Sequence, residues 1–305
     1  LPENVRVLSL GKERKPSHIR YVFRFWYFIW RERSRYDAVF VHMNQIYVLL
    51  GWLAWRVLGK KISLWYAHGA VSASLRVAEK MTDIIFTSTA GGFRVPSAKV
   101  RIVGQGIDTD YFVPGTRVDN AVCRVTMIGR LSPAKDQETL IEALDILARS
   151  GEKFEAHIIG SAGREGQESY VQLLHHMVAE RHLHNYIQFV GGIPHKDILV
   201  HLQSADIFVN TGLTGSLDKA GLEAMATGLP ILTCNEAYTE VLAGYQDLLM
   251  FKKKNSSELA KKLTVLMRMN APSQIQLRQS MRSIVVERHH ISGLVGKIIG
   301  ILLKL

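Results

Sequence analysis

With 305 residues, 47% of them hydrophobic and 21% charged, the chain has room for two domains and is too apolar for a disordered one. Its two cysteines, Cys123 and Cys234, lie far apart in apolar runs, which argues against a disulfide framework or a zinc site and predicts buried thiols in a reducing compartment. The formal net charge of +11 is lopsided: residues 1–115 carry 17 Lys and Arg against 8 Asp and Glu, the remaining 190 residues 21 against 19. A basic first half favours anionic partners such as nucleic acid, phosphorylated substrates or an acidic membrane face.

In chain order, VRVLSL (5–10) reads as a strand. RYVFRFWYFIWRER (20–33) is aromatic and flanked by arginines, and its apolar part, 21–30, is too short to span a bilayer. AVFVHMN (38–44) reads as a strand, YVLLGWLAWRVLG (47–59) as a helix with a glycine stop, and ISLWYAHG (62–69) as a strand ending on His68. DIIFTS (83–88) and KVRIVGQG (99–106) continue the pattern, and PGTRVDN (114–120) is the best linker candidate. The alternation then restarts. Strands at 125–129, 154–160, 187–192, 206–210 and 231–234 alternate with helices at 135–151, 167–182, 195–205 and 217–228. Further helices are expected at 259–269 and 295–305, while the paired histidines His175–His176 and His289–His290 read as surface residues. Alternation of this kind predicts open parallel α/β sheets.

Such sheets bind ligands beyond the carboxyl ends of their strands, which singles out His68 in the first half and several loops in the second. In MIGRLSPAKD (127–136) a strand ends at Gly129, a loop carries Arg130, and Lys135 is expected to open a helix. Two cations near a helix N-terminus suit a phosphate, although a solvated loop with incidental charges is the plain alternative. In TGSLDKAGLEAMATGLP (214–230), Asp218 is placed as an N-cap with Lys219 starting the helix. Thr214, Ser216 and the bare backbone of Gly215 suit a second phosphate. Glu223, a turn inside that helix, suits a ribose diol, the plain alternative being a capped helix with a solvent-facing glutamate. No P-loop, GxSxG, HExxH or GxGxxG motif is present.

Taken in order, GRLSPAKDQETLIEAL, HIIGSAG, FVGGIPHKDI and LEAMATGLPILT resemble the donor domain of glycosyltransferase family 4, and GFRVPSAKVRIVGQGIDTDYFVP resembles the segment between its domains. The resemblance implies a GT-B fold: two Rossmann-like α/β domains facing across a cleft, here residues 1–115 rejoined by a helix at 290–305, and residues 116–289. It implies a retaining, metal-independent transfer of a sugar from a nucleotide diphosphate sugar, with no other cofactor, to a glycan or lipid-linked acceptor. Arg130 and Lys135 would then hold the donor diphosphate and Glu223 the ribose. Gly129, Gly160, Ser161, Gly191 and Ile193 would border the nucleotide, and His68 would lie near the transferred sugar. The loop Thr214, Gly215, Ser216, Leu217, Asp218 and Lys219 would meet the phosphates.

Two departures stand out. The first glutamate of the family's Glu-x7-Glu motif would fall at 215, where this chain has Gly215. The chain also begins at Leu1 and enters the fold late, as if one or two βα units were missing. That would uncover a sheet edge and the aromatic run 21–30. The leading expectation is a glycosyltransferase, cytoplasmic or peripheral at the inner face of a membrane. The alternative is a catalytically incomplete protein that binds nucleotide sugar. Peripheral contact with an anionic membrane through the basic first half is a third reading, the plain and favoured alternative being that the aromatics of 21–30 pack inside the domain. No nucleic-acid module is recognised, so no nucleic-acid partner is expected.

Overall fold

The structure, a computed structural model, describes residues 5–11, 17–116, 122–163 and 168–304. The chain divides into two compact units, Leu1–Val103 with Lys297–Leu305, and Gly104–Gly296. Of the linker candidate, residues 117–120 lie outside the described residues.

The first unit carries helices α1 (His18–Arg31), α2 (Ile46–Val57) and α3 (Ala73–Met81) and strands β1 (Ala38–His42), β2 (Lys61–Trp65), β3 (Ile84–Thr87) and β4 (Val100–Ile102). The strands form one parallel sheet in the order β1-β2-β3-β4. VRVLSL is a correction: among the described residues it finds no strand partner, and Val5 and Val7 are exposed. An apolar run becomes a strand only where a neighbour takes its N–H and C=O groups. Ser17 caps α1 by accepting the Arg20 N–H at 3.4 Å. The aromatic helix then divides by face. Phe25 packs on Tyr47 at 5.3 Å and Trp55 at 5.8 Å, Ile29 is buried, and the Trp26 indole donates to the Leu50 carbonyl at 2.8 Å. Ile19, Phe23, Tyr27 and Trp30, one helical stripe, are exposed.

At the start of the sheet, Asp83 accepts the Ile62 N–H at 2.7 Å and pairs with Arg56 at 2.8 Å, tying α2 to β2. His68 does not end a strand. β2 stops at Trp65, and His68 closes a turn, its N–H on Gly92 O at 2.9 Å and its Nδ1 accepting the Ala70 N–H at 3.0 Å.

The second unit carries β5 (Cys123–Ile128), α4 (Gln137–Arg149), β6 (Phe154–Ile159), α5 (Glu168–Glu180), β7 (Ile187–Gly191), α6 (Ile198–Gln203), β8 (Ile207–Asn210), α7 (Lys219–Ala226), β9 (Ile231–Thr233), α8 (Gln246–Leu249), α9 (Ser256–Met267) and α10 (Ala271–His289). A last helix, α11 (Ile291–Leu302), spans the second boundary between units. Its sheet is parallel in the order β7-β6-β5-β8-β9, so the winding reverses between β5 and β8. Strands covered on both faces need continuous apolar runs, and β8 is buried throughout. Leu140, Leu144 and Leu147 of α4 are almost fully buried; each such leucine is worth about 1.5–3 kcal/mol. Both cysteines are free thiols. Cys234 is buried, as expected, and burial pushes its thiol up to about 12, whereas Cys123 is half-buried.

No helix is expected from the sequence at α3, α8 or α10, and of these the long α10 has the faintest hydrophobic pattern. The 19-residue α10 buries only Leu277, Met281, Val285 and His289, a single stripe at fourfold spacing. Its legible signal is the start: Asn270 accepts the Ser273 N–H at 3.0 Å, with Pro272 in the first turn. The stripe also corrects the reading of His289–His290 as surface residues. His289 is buried, and its Nδ1 accepts the Gln105 N–H at 3.1 Å. His290 Nδ1 lies 2.9 Å from Thr109 Oγ1, and the N–H groups of Ile107 and Ile291 close the pairing, on His289 O at 2.8 Å and Ile107 O at 2.9 Å. The strands and helices of this unit otherwise follow the expected alternation.

Candidate functional site

The point where a doubly wound sheet reverses its winding leaves a crevice at the carboxyl ends of the two strands that diverge there. In the second unit these are β5 and β8. The loop after β5 carries Gly129, Arg130 and Lys135; the loop after β8 carries residues 211–218. The two loops are laced together. Leu213 N–H donates to Ala134 O at 3.0 Å and Thr211 Oγ1 to Lys135 O at 2.5 Å. The Lys135 ammonium pairs with Asp218 Oδ2, which also accepts from Asn210 Nδ2 at 3.3 Å. Expectations for both residues need correcting. Lys135 does not open a helix: α4 begins at Gln137, preceded by Asp136 in the left-handed region at φ 51°. Asp218 stands at the N-cap position of α7, but its carboxylate makes no capping bond because Lys135 and Asn210 hold it.

Arg130 is exposed, and its guanidinium has no protein partner among the described residues. Its backbone is fixed from below, since Gln137 Nε2 donates to Arg130 O at 3.0 Å. Asp136 is buried, and burial raises its carboxyl above the usual range, partly offset by the Thr139 hydroxyl at 2.7 Å. Lys219 is exposed at the start of α7. Arg130, Lys135 and Lys219, the last at the start of α7, thus supply three cations, against the carboxylate of Asp218 and the buried carboxyl of Asp136.

The loop 214–218 is supported by residues that sequence reasoning missed. Asn235 Nδ2 donates to Ser216 O at 2.7 Å, and the fully buried Tyr238 donates its hydroxyl to Asp218 O at 2.6 Å. Burial drives the Tyr238 phenol well above its ordinary pKa, so it stays a donor. Gly221 makes room for that hydroxyl, because a Cβ there would overlap it. Thr214 and Ser216 hydroxyls lie 3.0 Å apart, and Leu217 is buried beneath them. Gly215 has φ 68°, a conformation that L side chains rarely adopt. The expected first glutamate is therefore replaced at a backbone position that favours glycine.

The outer edge of the site comes from β6 and β7. Gly160 donates its N–H to Gly191 O at 2.8 Å, and a Cβ on Gly160 would overlap the carbonyl oxygen of Gly129. Ser161 O accepts the Leu131 N–H at 2.8 Å, Gly191 sits at φ 84°, and Ile193 packs against the core. Glu223, placed by the sequence on a solvent-facing or ribose-binding helix face, is buried, within an α7 whose residues 221–226 are all buried. Its Oε1 lies 2.9 Å from Nε2 of His195, a residue of FVGGIPHKDI to which the sequence assigns no role of its own. The structure thus gathers every second-unit candidate at one end of one sheet. His68 belongs to the first unit.

The family model for glycosyl transferases group 1 matches residues 119–284. A GDP-mannose-dependent alpha-(1-6)-phosphatidylinositol monomannoside mannosyltransferase of Mycolicibacterium smegmatis is 30% identical over 155 residues, 45% of this chain and 38% of that protein. A D-inositol 3-phosphate glycosyltransferase of Corynebacterium aurimucosum is 25% identical over 142 residues, 43% and 34% of the two chains. The matches therefore span less than two fifths of the length of these curated relatives. Among solved structures, HepE of Anabaena in complex with UDP gives a TM-score of 0.78 at 17% identity, over 92% of this chain and 82% of that one. A glycosyltransferase from Rickettsia africae gives 0.80 at 14% identity, over 98% and 84%. At these identities the likeness carries the fold, and the architecture is GT-B, as expected.

Proposed function

The chain belongs to the glycosyl transferases group 1 family, and from that premise we propose that it is a retaining, metal-independent transferase of family 4. It moves a sugar from a nucleotide diphosphate sugar to an acceptor hydroxyl on a glycan or a lipid-linked glycan. The observation that carries this reading is the meeting of two loops at the reversal point of the second sheet, with Arg130 and Lys135 on the first, Lys219 opening the helix that follows the second, and Glu223 buried in that helix. As the sugar–phosphate bond breaks, negative charge grows on the leaving diphosphate. Preorganised cations and backbone N–H groups stabilise that charge more than they stabilise the ground state. The acceptor attacks the face the diphosphate leaves. Glu223 takes the ribose hydroxyls, and Gly160, Ser161, Gly191 and Ile193 border the base. With Gly215 in place of the first glutamate, contact with the transferred sugar falls to the loop backbone and Lys219.

The test is release of nucleotide from UDP-, GDP- and ADP-sugars in the presence of free sugars, glycans and lipid-linked glycans, with and without a chelator. One donor is expected to turn over, unchanged by chelation. Loss of activity with chelator would remove the metal-independent part. Binding of a donor without turnover on any acceptor would replace the reading with that of a nucleotide-sugar-binding protein.

The outward stripe of α1 supports peripheral membrane contact as part of the same reading. Ile19, Phe23, Tyr27 and Trp30 are exposed, Arg20, Arg24 and Arg31 flank them, and the helix has no acidic residue. No helix among the described residues is long and apolar enough to cross a membrane. An apolar face ringed by arginine suits the boundary of an anionic bilayer, and one relative is named a phosphatidylinositol monomannoside mannosyltransferase. Co-flotation with phosphatidylglycerol vesicles at low salt is expected, weakened by Phe23→Glu and lost on neutral phosphatidylcholine. No flotation at low salt would end this part of the proposal.

A further inference from the structure

We infer that His195 is a positioning residue: it holds the Glu223 carboxylate for a ribose diol and thereby sets the preference for ribose over 2′-deoxyribose in the bound nucleotide. The inference rests on the donor-site reading above and adds a residue to it. Glu223 is almost fully enclosed, its side chain 6% exposed, yet the one hydrogen-bonding partner of its carboxylate among the described residues is the His195 ring, 67% exposed. A buried carboxylate with a single donor has one oxygen fixed and the other open to a ligand. Here Oε1 takes the His195 Nε2 at 2.9 Å, and Oε2 has no protein donor among the described residues.

The histidine is itself held from two sides. Phe112, buried, meets the imidazole edge to face with ring centroids 5.6 Å apart. The neighbouring Tyr111 hydroxyl donates to the carbonyl of Lys196, which pins the short 3₁₀ turn His195–Asp197. A partly exposed ring fixed by its neighbours and aimed at a buried carboxylate is an orienting contact. A carboxylate only accepts, so the imidazole Nε2 is the donor in this contact and fixes the orientation of Oε1. The open oxygen can then accept a hydroxyl proton without first paying for rotamer ordering, which is the general benefit of preorganisation.

The test measures binding of UDP, GDP and ADP, and then of the 2′-deoxy form of whichever binds best, by calorimetry on the full chain. The unaltered protein is expected to prefer the ribonucleotide by about tenfold, the size of one charge-assisted hydrogen bond. His195→Ala is expected to bring that ratio near one by weakening ribonucleotide binding, with 2′-deoxynucleotide binding held within about twofold. His195→Gln, which restores a donor, is expected to recover most of the preference. A merely structural role would lower both affinities together and leave the ratio unchanged, and that result overturns the inference while leaving the donor site standing. No binding of any of the three diphosphates to the unaltered chain would overturn the donor site, and this inference with it. His195 is exposed, so its variants should fold; if His195→Ala lowers thermal stability, the ratio measured on His195→Gln and on Phe112→Leu decides.

Discussion

Arg130→Ala is expected to lower the rate of sugar transfer by about 10²-fold, and Lys135→Ala by about 10²–10³-fold, in line with removing one preorganised charge donor from a transition state. The two differ because their surroundings differ. Arg130 is exposed and unpartnered among the described residues, so its loss removes a cation and little else. Lys135 is half-buried against Asp218. Removing it also leaves a carboxylate facing the leaving diphosphate, which adds repulsion to the lost attraction. Lys135→Ala with Asp218→Asn is therefore expected to recover about tenfold relative to Lys135→Ala alone, a coupling that a double-mutant cycle reads directly. The effect should appear in kcat more than in KM, since charge on the diphosphate grows as the bond breaks. Full activity in both single variants would reject the electrostatic mechanism.

Gly160→Ala is expected to cost about 3 kcal/mol or more, with loss of nucleotide binding. The added methyl would overlap the carbonyl oxygen of Gly129, a backbone atom that cannot rotate away. Moving it means separating the ends of β5 and β6, where Gly129 N–H bonds Ile159 O at 2.9 Å. In a unit of this size, a fall in melting temperature of about 6–12 °C should follow. Gly191→Ala is the control. Nothing lies within 4 Å of a Cβ there, so only the strain of φ 84° applies, and a cost of about 1 kcal/mol is expected. Equal stability of the two variants would reject the Gly129–Gly160 approach as the source of the cost.

The second unit was legible because its strands are continuous apolar runs ended by glycine or a polar residue, and its helices are bounded by caps and glycine stops. The strand ends then followed, and with them Arg130, Lys135 and the 214–219 loop. What escaped was information that depends on distant partners. Asp218 has a good capping sequence, yet Lys135, 83 positions earlier, takes its carboxylate. His195 and Glu223 are 28 positions apart, and no spacing rule joins them. Tyr238 and Asn235 support the loop from beyond the next strand, and in the sequence they are an ordinary aromatic and an ordinary amide. VRVLSL failed for the converse reason: local propensity was present, and among the described residues a pairing partner was not. His289 shows the same limit, since a polar residue completing an apolar stripe looks like a surface position until its backbone donor at Gln105 is known.

That histidine closes more than a hydrogen bond. Residues 105–109 and 289–291 are fastened to each other by three backbone or side-chain bonds around Ile107 and His289, with the Thr109–His290 pair beside them. The second unit is thereby a ring, stapled where the chain enters and where it leaves. Its ends cannot fray one at a time, because releasing either strips hydrogen bonds from the other. Topologically it is an insertion carried by the first unit, and adjacent ends of this kind are what permit a domain to be excised or its chain to be reopened at another loop. Whatever sequence surrounds it, the second unit is built as a module that carries its own closure.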